Sequence, residues 1–253
     1  MPLLRWLWSP YREAAATLLA AAESILVSPR PPWSSLAALI LATVAAWFVY
    51  VPVHELLHAL GCFATGGRVE ELQIAPLYGG RLLERVFPFV RAAGEHAGRL
   101  SGFDTGGSDL TYLATDIAPY LLTIIGAVPL LSLARRRRSA ILFGPGFVLI
   151  AAPLMSLVGD YFEMAGILVS RALAGITTAT HADVLRCDDL VDLLAEFPAR
   201  IPDHRIAWGL AILGTLLVAC LLVTATLAAT IAVGRRFAGE RGGARAGGSG
   251  YGP

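Results

Sequence analysis

His54 and His58 stand four positions apart with a carboxylate between them, in the order His54-Glu55-Leu56-Leu57-His58. On a helix the two imidazoles are one turn apart and share a face, so both can bind one metal ion. Glu55 lies next to that face, where it can take a proton from a water that the ion activates. Zinc is the expected ion. The HExxH string is short, and its setting adds to it. It falls near the end of an apolar run from Leu36 to beyond Leu60. A charged side chain near the centre of a membrane helix costs roughly 2.5–3.5 kcal/mol, and polar groups there are functional by default. The competing reading, polar residues satisfied inside a helix bundle, explains the string less well.

A catalytic zinc centre needs a third protein ligand and one open position. Asp160 is the first candidate and Glu163 the second. They are three residues apart on one helix face, so one can bind while the other supports it. Asp116 is a third candidate, able instead to bond a ligating histidine or backbone freed near Pro119. Cys62 follows His58 by one turn and reads as a small buried thiol. Cys62, Cys187 and Cys220 have no CxxC spacing, which argues against a disulfide framework or a zinc ribbon. His96, His181 and His204 lie in polar connections and read as surface histidines.

These residues must be positioned by apolar helices. The chain is 56% hydrophobic and 15% charged, with a net charge of +1. That balance belongs to a membrane protein, and no basic-aromatic tract points to nucleic acid. Met1 to Ser9 carries Arg5, Trp6 and Trp8, suited to a membrane interface. Residues 11–27 read as an interfacial helix too short in its apolar part to span, and a poor signal peptide. Pro29, Pro31 and Pro32 break the chain. Span 1 covers about 36–60, with Ser34 or Ser35 as cap, and Pro52 inside it can kink the helix before the histidines. Alternation around Val69, Leu72 and Ile74, with Gly79-Gly80 as turn, favours a hairpin. Residues 92–108 are Gly-rich and polar and read as a mobile loop.

Span 2 covers about 110–133 and ends at Arg135–Arg138. Span 3 covers about 141–170, disturbed at its start by Gly144-Pro145-Gly146. Leu190, Leu193, Leu194 and Phe197 repeat at helical spacing, which predicts an amphipathic helix over 188–197 lying on the membrane. Span 4 covers about 206–233 and ends at Arg235-Arg236. The tail, 235–253, is Gly/Arg-rich and reads as disordered. The expected fold is mainly α: a polytopic membrane helical bundle of about four spans, with an N-terminal interfacial segment, 1–35, and a small β-hairpin after the first span. By the positive-inside rule both arginine clusters belong in the cytoplasm, which puts the histidine end of span 1 near the outer face.

Depth ties the candidates together. At about 1.5 Å per residue, His54 lies roughly 27 Å from Leu36, Asp160 roughly 28 Å from Ile141 and Asp116 roughly 26 Å from Leu133. Three polar sites on three spans thus reach one level of a core about 30 Å thick.

Taken together, the chain resembles the site-2 protease family of intramembrane zinc metalloproteases. The resemblance rests on His54-Glu55-Leu56-Leu57-His58 within an apolar helix, the Gly-Arg-Val segment leading to Pro76-Leu77-Tyr78-Gly79-Gly80, and a later helix carrying Asp160. It covers roughly residues 36–170, and only the histidine motif is specific. It implies that His54 and His58 bind zinc, that Glu55 is the catalytic base, and that Asp160 stands at the aspartate ligand. Residues 36–234 would form the metalloprotease-like domain. The family's Leu-Asp-Gly is here Val158-Gly159-Asp160-Tyr161, and the family opens its sites to the cytosol, two departures from its pattern.

The expected activity is hydrolysis of peptide bonds in a membrane protein or peptide, by a multi-pass protein of a bacterial plasma (inner) membrane. The hairpin near 69–77 would receive an unwound substrate as an added strand, with 92–108 and 188–197 gating access. One alternative keeps zinc but changes the chemistry, to a lipid hydrolase or a prenyl-protein-processing protease with Glu163 as third ligand. Another is a membrane adaptor without catalysis.

Overall fold

The computed structural model describes residues 2–27, 31–94, 96–174, 185, 190, 191, 193, 194 and 205–246. It is mainly helical. Four stretches are long and apolar enough to cross a membrane: Pro32–Ala64, Asp109–Arg137, Ala140–Leu173 and Trp208–Phe237. They match the four expected spans. The chain divides into two compact units: Met1–Trp47, Tyr120–Ala152 and Thr224–Pro253 form one, Phe48–Pro119 and Pro153–Val223 the other.

In the first unit, helix α1 (Pro2–Leu26) starts well before the expected residue 11 and runs through Pro10. Helix α2 (Pro32–Ala64) also opens on a proline. Proline suits that place, because the first helical N–H has no intrahelical acceptor. Ser34 is therefore not the cap. Its Oγ donates to the Pro31 carbonyl at 2.8 Å. Helix α5 (Tyr120–Arg137) packs on α1. Helix α6 (Ala140–Met155) runs unbroken through Gly144-Pro145-Gly146, where a disturbance is expected from the sequence. The glycines are there for contact. A Cβ on Gly144 would meet the backbone of Ala42, and one on Gly146 would meet Leu131. Helix α8 (Arg205–Ala246) extends past Arg235-Arg236, where the sequence suggests a disordered tail. Glu13 of α1 pairs with Arg235, and Tyr11 Oη lies 2.9 Å from Thr224 Oγ1.

The second unit holds the candidate site. Alternation of side chains makes residues after Gly66-Gly67 a strand, β1 (Arg68–Ile74). The expected hairpin across Gly79-Gly80 does not form. Pro76 starts a 3-10 turn at Pro76–Tyr78, Gly79 takes φ 83°, and the chain enters a short helix, α3 (Gly80–Leu83). Glycine tolerates that left-handed conformation and so redirects the chain without a β-turn. The antiparallel partner of β1 is β3 (Gly98–Asp104), inside the stretch that reads as a loop. Its glycines and charges hide it, because β3 is an edge strand with little to bury. β2 (Val90–Arg91) pairs parallel to β1 on the other side, giving the order β2-β1-β3.

The sheet is anchored to α2. Leu72, Ile74 and Val90 are buried in one cluster with Ala59, and Leu56 packs against it. Glu71 interrupts the β1–β3 register, and Gln73 and Ser101 bond its carboxylate and hold it below the usual carboxylate range.

Spans 2 and 3 are each two helices. α4 (Asp109–Ile117) is capped by Ser108, whose Oγ accepts from Thr111 N–H at 3.2 Å, and it ends before Pro119. α7 (Asp160–Ala174) begins after turns at 156–159. α4 packs on α7, with Asp109 ion-paired to Arg171. Of the expected 188–197 helix only residues 190, 191, 193 and 194 are described; they are helical, and Leu193 is buried with Phe162 and Leu185.

Candidate metal centre

Helix α2 brings the motif to the sheet and to α4. Gly61 allows this approach: a Cβ there would lie 2.8 Å from the Ala118 Cβ. His54 and His58 are 8% and 7% exposed. Their rings meet edge to face at 83°, with centroids 4.7 Å apart.

Each ring is held through Nδ1. His58 Nδ1–H donates to the Thr115 carbonyl of α4 at 2.9 Å. Tyr50 Oη lies 2.7 Å from His54 Nδ1, one turn earlier on α2. Such bonds on the far nitrogen fix the orientation of a ligating histidine and leave Nε2 as the donor atom.

The two Nε2 atoms are 3.1 Å apart. Asp160 Oδ2, from the first residue of α7, lies 3.2 Å from His54 Nε2 and 3.6 Å from His58 Nε2. A tetrahedral ion with bonds of roughly 2.0–2.1 Å holds its ligand atoms about 3.3–3.4 Å apart. The three edges of the His54–His58–Asp160 triangle bracket that distance. The donor set also fits. His58 Nε2, with its proton on Nδ1, offers a lone pair towards another ring nitrogen and a carboxylate, and a cation between them relieves that repulsion. Among the described residues this is the one His/Cys/Asp/Glu group with ligand atoms close enough to hold a metal ion.

The other candidates fall outside the triangle. Glu163 accepts a hydrogen bond from the Tyr112 hydroxyl. Asp116 is buried on α4 and is not among the three ligand atoms. Both line a cavity of ≈ 200 Å³ shared with Glu55, His58 and Asp160. Glu55 meets β3 there. A Cβ on Gly98 would come within 2.8 Å of the Glu55 Cδ and 3.0 Å of its Oε1. The base candidate is thus confined between the metal-ligand face and the start of an edge strand.

Sequence reasoning misses several of these groups. Tyr50 was legible in principle, being four residues before His54 on the same face. The Thr115 carbonyl has no sequence signature, because any residue carries one. His96, which reads as a surface histidine, is exposed and also lines the cavity. His181 and His204 lie outside the described residues. Comparison with protein-family models, curated proteins and solved structures returns no match for this chain.

Proposed function

We propose that this protein is a membrane-embedded zinc metallopeptidase. The observation that carries the reading is the meeting of His54 Nε2, His58 Nε2 and Asp160 Oδ2 within 3.6 Å of one another, beside a cavity walled by Glu55. Zinc held by these three residues would polarise a carbonyl and lower the pKa of water towards about 7.

The chain's own residues supply the rest. Glu55 accepts a proton from the attacking water on its carboxylate and passes it to the nitrogen that leaves. The water oxygen joins the carbonyl carbon, and the C–N bond breaks to give a carboxylate and an amine. Tyr50 and Thr115 keep both imidazoles turned towards Asp160. β3 presents the substrate. It pairs with β1 on one side, and its other edge has backbone groups for an extended segment to add to. Gly98, Arg99, Leu100 and Phe103 of β3 line the cavity, so a strand added there runs past Glu55. A helical substrate must unwind to use this edge, because its carbonyls are otherwise engaged in its own hydrogen bonds.

The four apolar stretches support a multi-pass protein, and a bacterial plasma membrane is the proposed location. Glu163 as third ligand, the basis of the prenyl-processing alternative, is disfavoured by its bond to Tyr112. The test is Glu55→Gln in purified protein, with metal analysis and a panel of membrane-peptide and lipid substrates. The expected outcome is near-stoichiometric zinc with peptide cleavage abolished. Retained turnover would refute the base assignment, lipid cleavage alone would move the substrate class, and protein without metal would leave the adaptor reading.

A further inference from the structure

A second cavity, of ≈ 190 Å³, lies within the first unit, between α5 and α8. Its wall on α5 is one face of that helix. Ile125, Pro129, Leu133 and Arg136 follow one another at helical spacing, with Ser132 a turn before Arg136. α8 closes the other side with Gly234 and Phe237. Gly234 lets the two helices approach, since a Cβ there would meet the Val128 side chain. Ile125 and Phe237 stay exposed, so the cavity is a groove open to what surrounds the helices.

The two ends of the groove differ. Ile125, Pro129 and Leu133 make an apolar wall, and Ser132 and Arg136 bring a hydroxyl and a guanidinium to its end. Other helical hydroxyls, those of Thr43, Thr115 and Thr215, donate to a carbonyl one turn earlier. The Ser132 hydroxyl has no such partner among the described residues. Arg235 is committed to Glu13, whereas Arg136 forms no ion pair with a described residue. Two donors one turn apart are thus free at the charged end.

Length and charge decide what fits. Arg136 lies roughly 16 Å along α5 from Ile125. That is about half of a hydrocarbon core about 30 Å thick, the depth of one leaflet. An acyl chain along Ile125, Pro129 and Leu133 would bring its headgroup phosphate to Ser132 and Arg136. A guanidinium holds phosphate oxygens by paired, charge-assisted hydrogen bonds. A free phosphate would leave the apolar wall unused. A zwitterionic lipid would set its own cation among Arg135, Arg137 and Arg138, where like charges repel. Basic pockets between membrane helices suit anionic headgroups for the same reason.

We propose that the groove between α5 and α8 binds one anionic glycerophospholipid, its phosphate on Ser132 and Arg136 and an acyl chain on Ile125, Pro129, Leu133 and Phe237. Such a site needs α5 and α8 to lie in a membrane; it does not need the metal centre to be catalytic.

The test is native mass spectrometry of the full-length protein released from detergent. Dioleoylphosphatidylglycerol, dioleoylphosphatidylcholine and glycerol 1-phosphate are added separately. The wild type is expected to retain one phosphatidylglycerol, roughly tenfold more strongly than phosphatidylcholine, and no glycerol phosphate. Arg136→Gln is expected to weaken phosphatidylglycerol retention roughly tenfold, the usual worth of a hydrogen bond to a charged group. Arg137→Gln removes the same charge outside the groove lining and is expected to match the wild type. Phe237→Ala trims the apolar wall and is expected to weaken retention roughly threefold or more. It also serves as the deciding variant should Arg136→Gln fail to fold. Equal retention of the two lipids, or equal losses in Arg136→Gln and Arg137→Gln, would mean general surface charge and overturn the site. Retention unchanged in Phe237→Ala, or glycerol phosphate held as strongly as the lipid, would overturn the lipid assignment.

Discussion

Each histidine of the pair works through its far nitrogen as much as through the near one. Tyr50 and the Thr115 carbonyl hold the two rings in rotation, so both Nε2 atoms would already be in place for an ion to bind. Removing one such outer bond commonly lowers metal affinity by roughly 10–100-fold. Tyr50→Phe is therefore expected to weaken zinc binding about tenfold, measured by competition with a chelator, with the fold intact by circular dichroism. His54→Ala should lose the ion altogether. If Tyr50→Phe binds zinc as tightly as the wild type, the Tyr50–His54 bond has no part in ordering the site.

Elements meet at glycines here. Gly98 brings β3 against Glu55, and Gly61 brings α2 against α4. Gly98→Ala puts a methyl group into the Glu55 carboxylate and must displace it or the strand. A misplacement of about 1 Å at a reacting group can cost roughly 10²-fold in rate. The expected result is a fall in kcat of that order with zinc content unchanged; unaltered kcat would mean Glu55 is free to move without consequence. Gly61→Ala overpacks the α2–α4 contact, and overpacking costs roughly 1–3 kcal/mol. A lowered thermal midpoint in detergent, together with weaker zinc binding through the displaced Thr115 carbonyl, is expected. The two substitutions thus separate the base from the metal.

For the whole molecule, four apolar stretches and two arginine clusters make a topological prediction. The protein should stay with membranes after an alkaline carbonate wash, and reporter fusions after Arg138 and after Arg236 should both lie on the cytoplasmic side. Reporters on opposite sides would break the even count of spans between them. Both on the outer side would invert the orientation and turn the histidine end of span 1 towards the cytosol.

Residue type and spacing alone determined the histidine pair, the glutamate beside it and the four apolar stretches, because local periodicity and membrane length are written along the chain. Asp160 was legible as a candidate by depth, but depth placed Asp116 at the same level, and Glu163 shared its helix face. The folded chain decides between them: Asp160 opens α7 and meets both Nε2 atoms, Glu163 accepts a hydrogen bond from Tyr112, and Asp116 stays buried on α4 outside the three. The sheet divided the same way. β1 shows alternation, but its partner β3 is a polar, glycine-bearing edge whose pairing depends on residues far along the chain, such as Arg68 with Asp104. Pairing across such a distance, like rotation of a ring about its bond to the chain, is decided by contacts that have no local period, and so it appears only when the tertiary structure is formed.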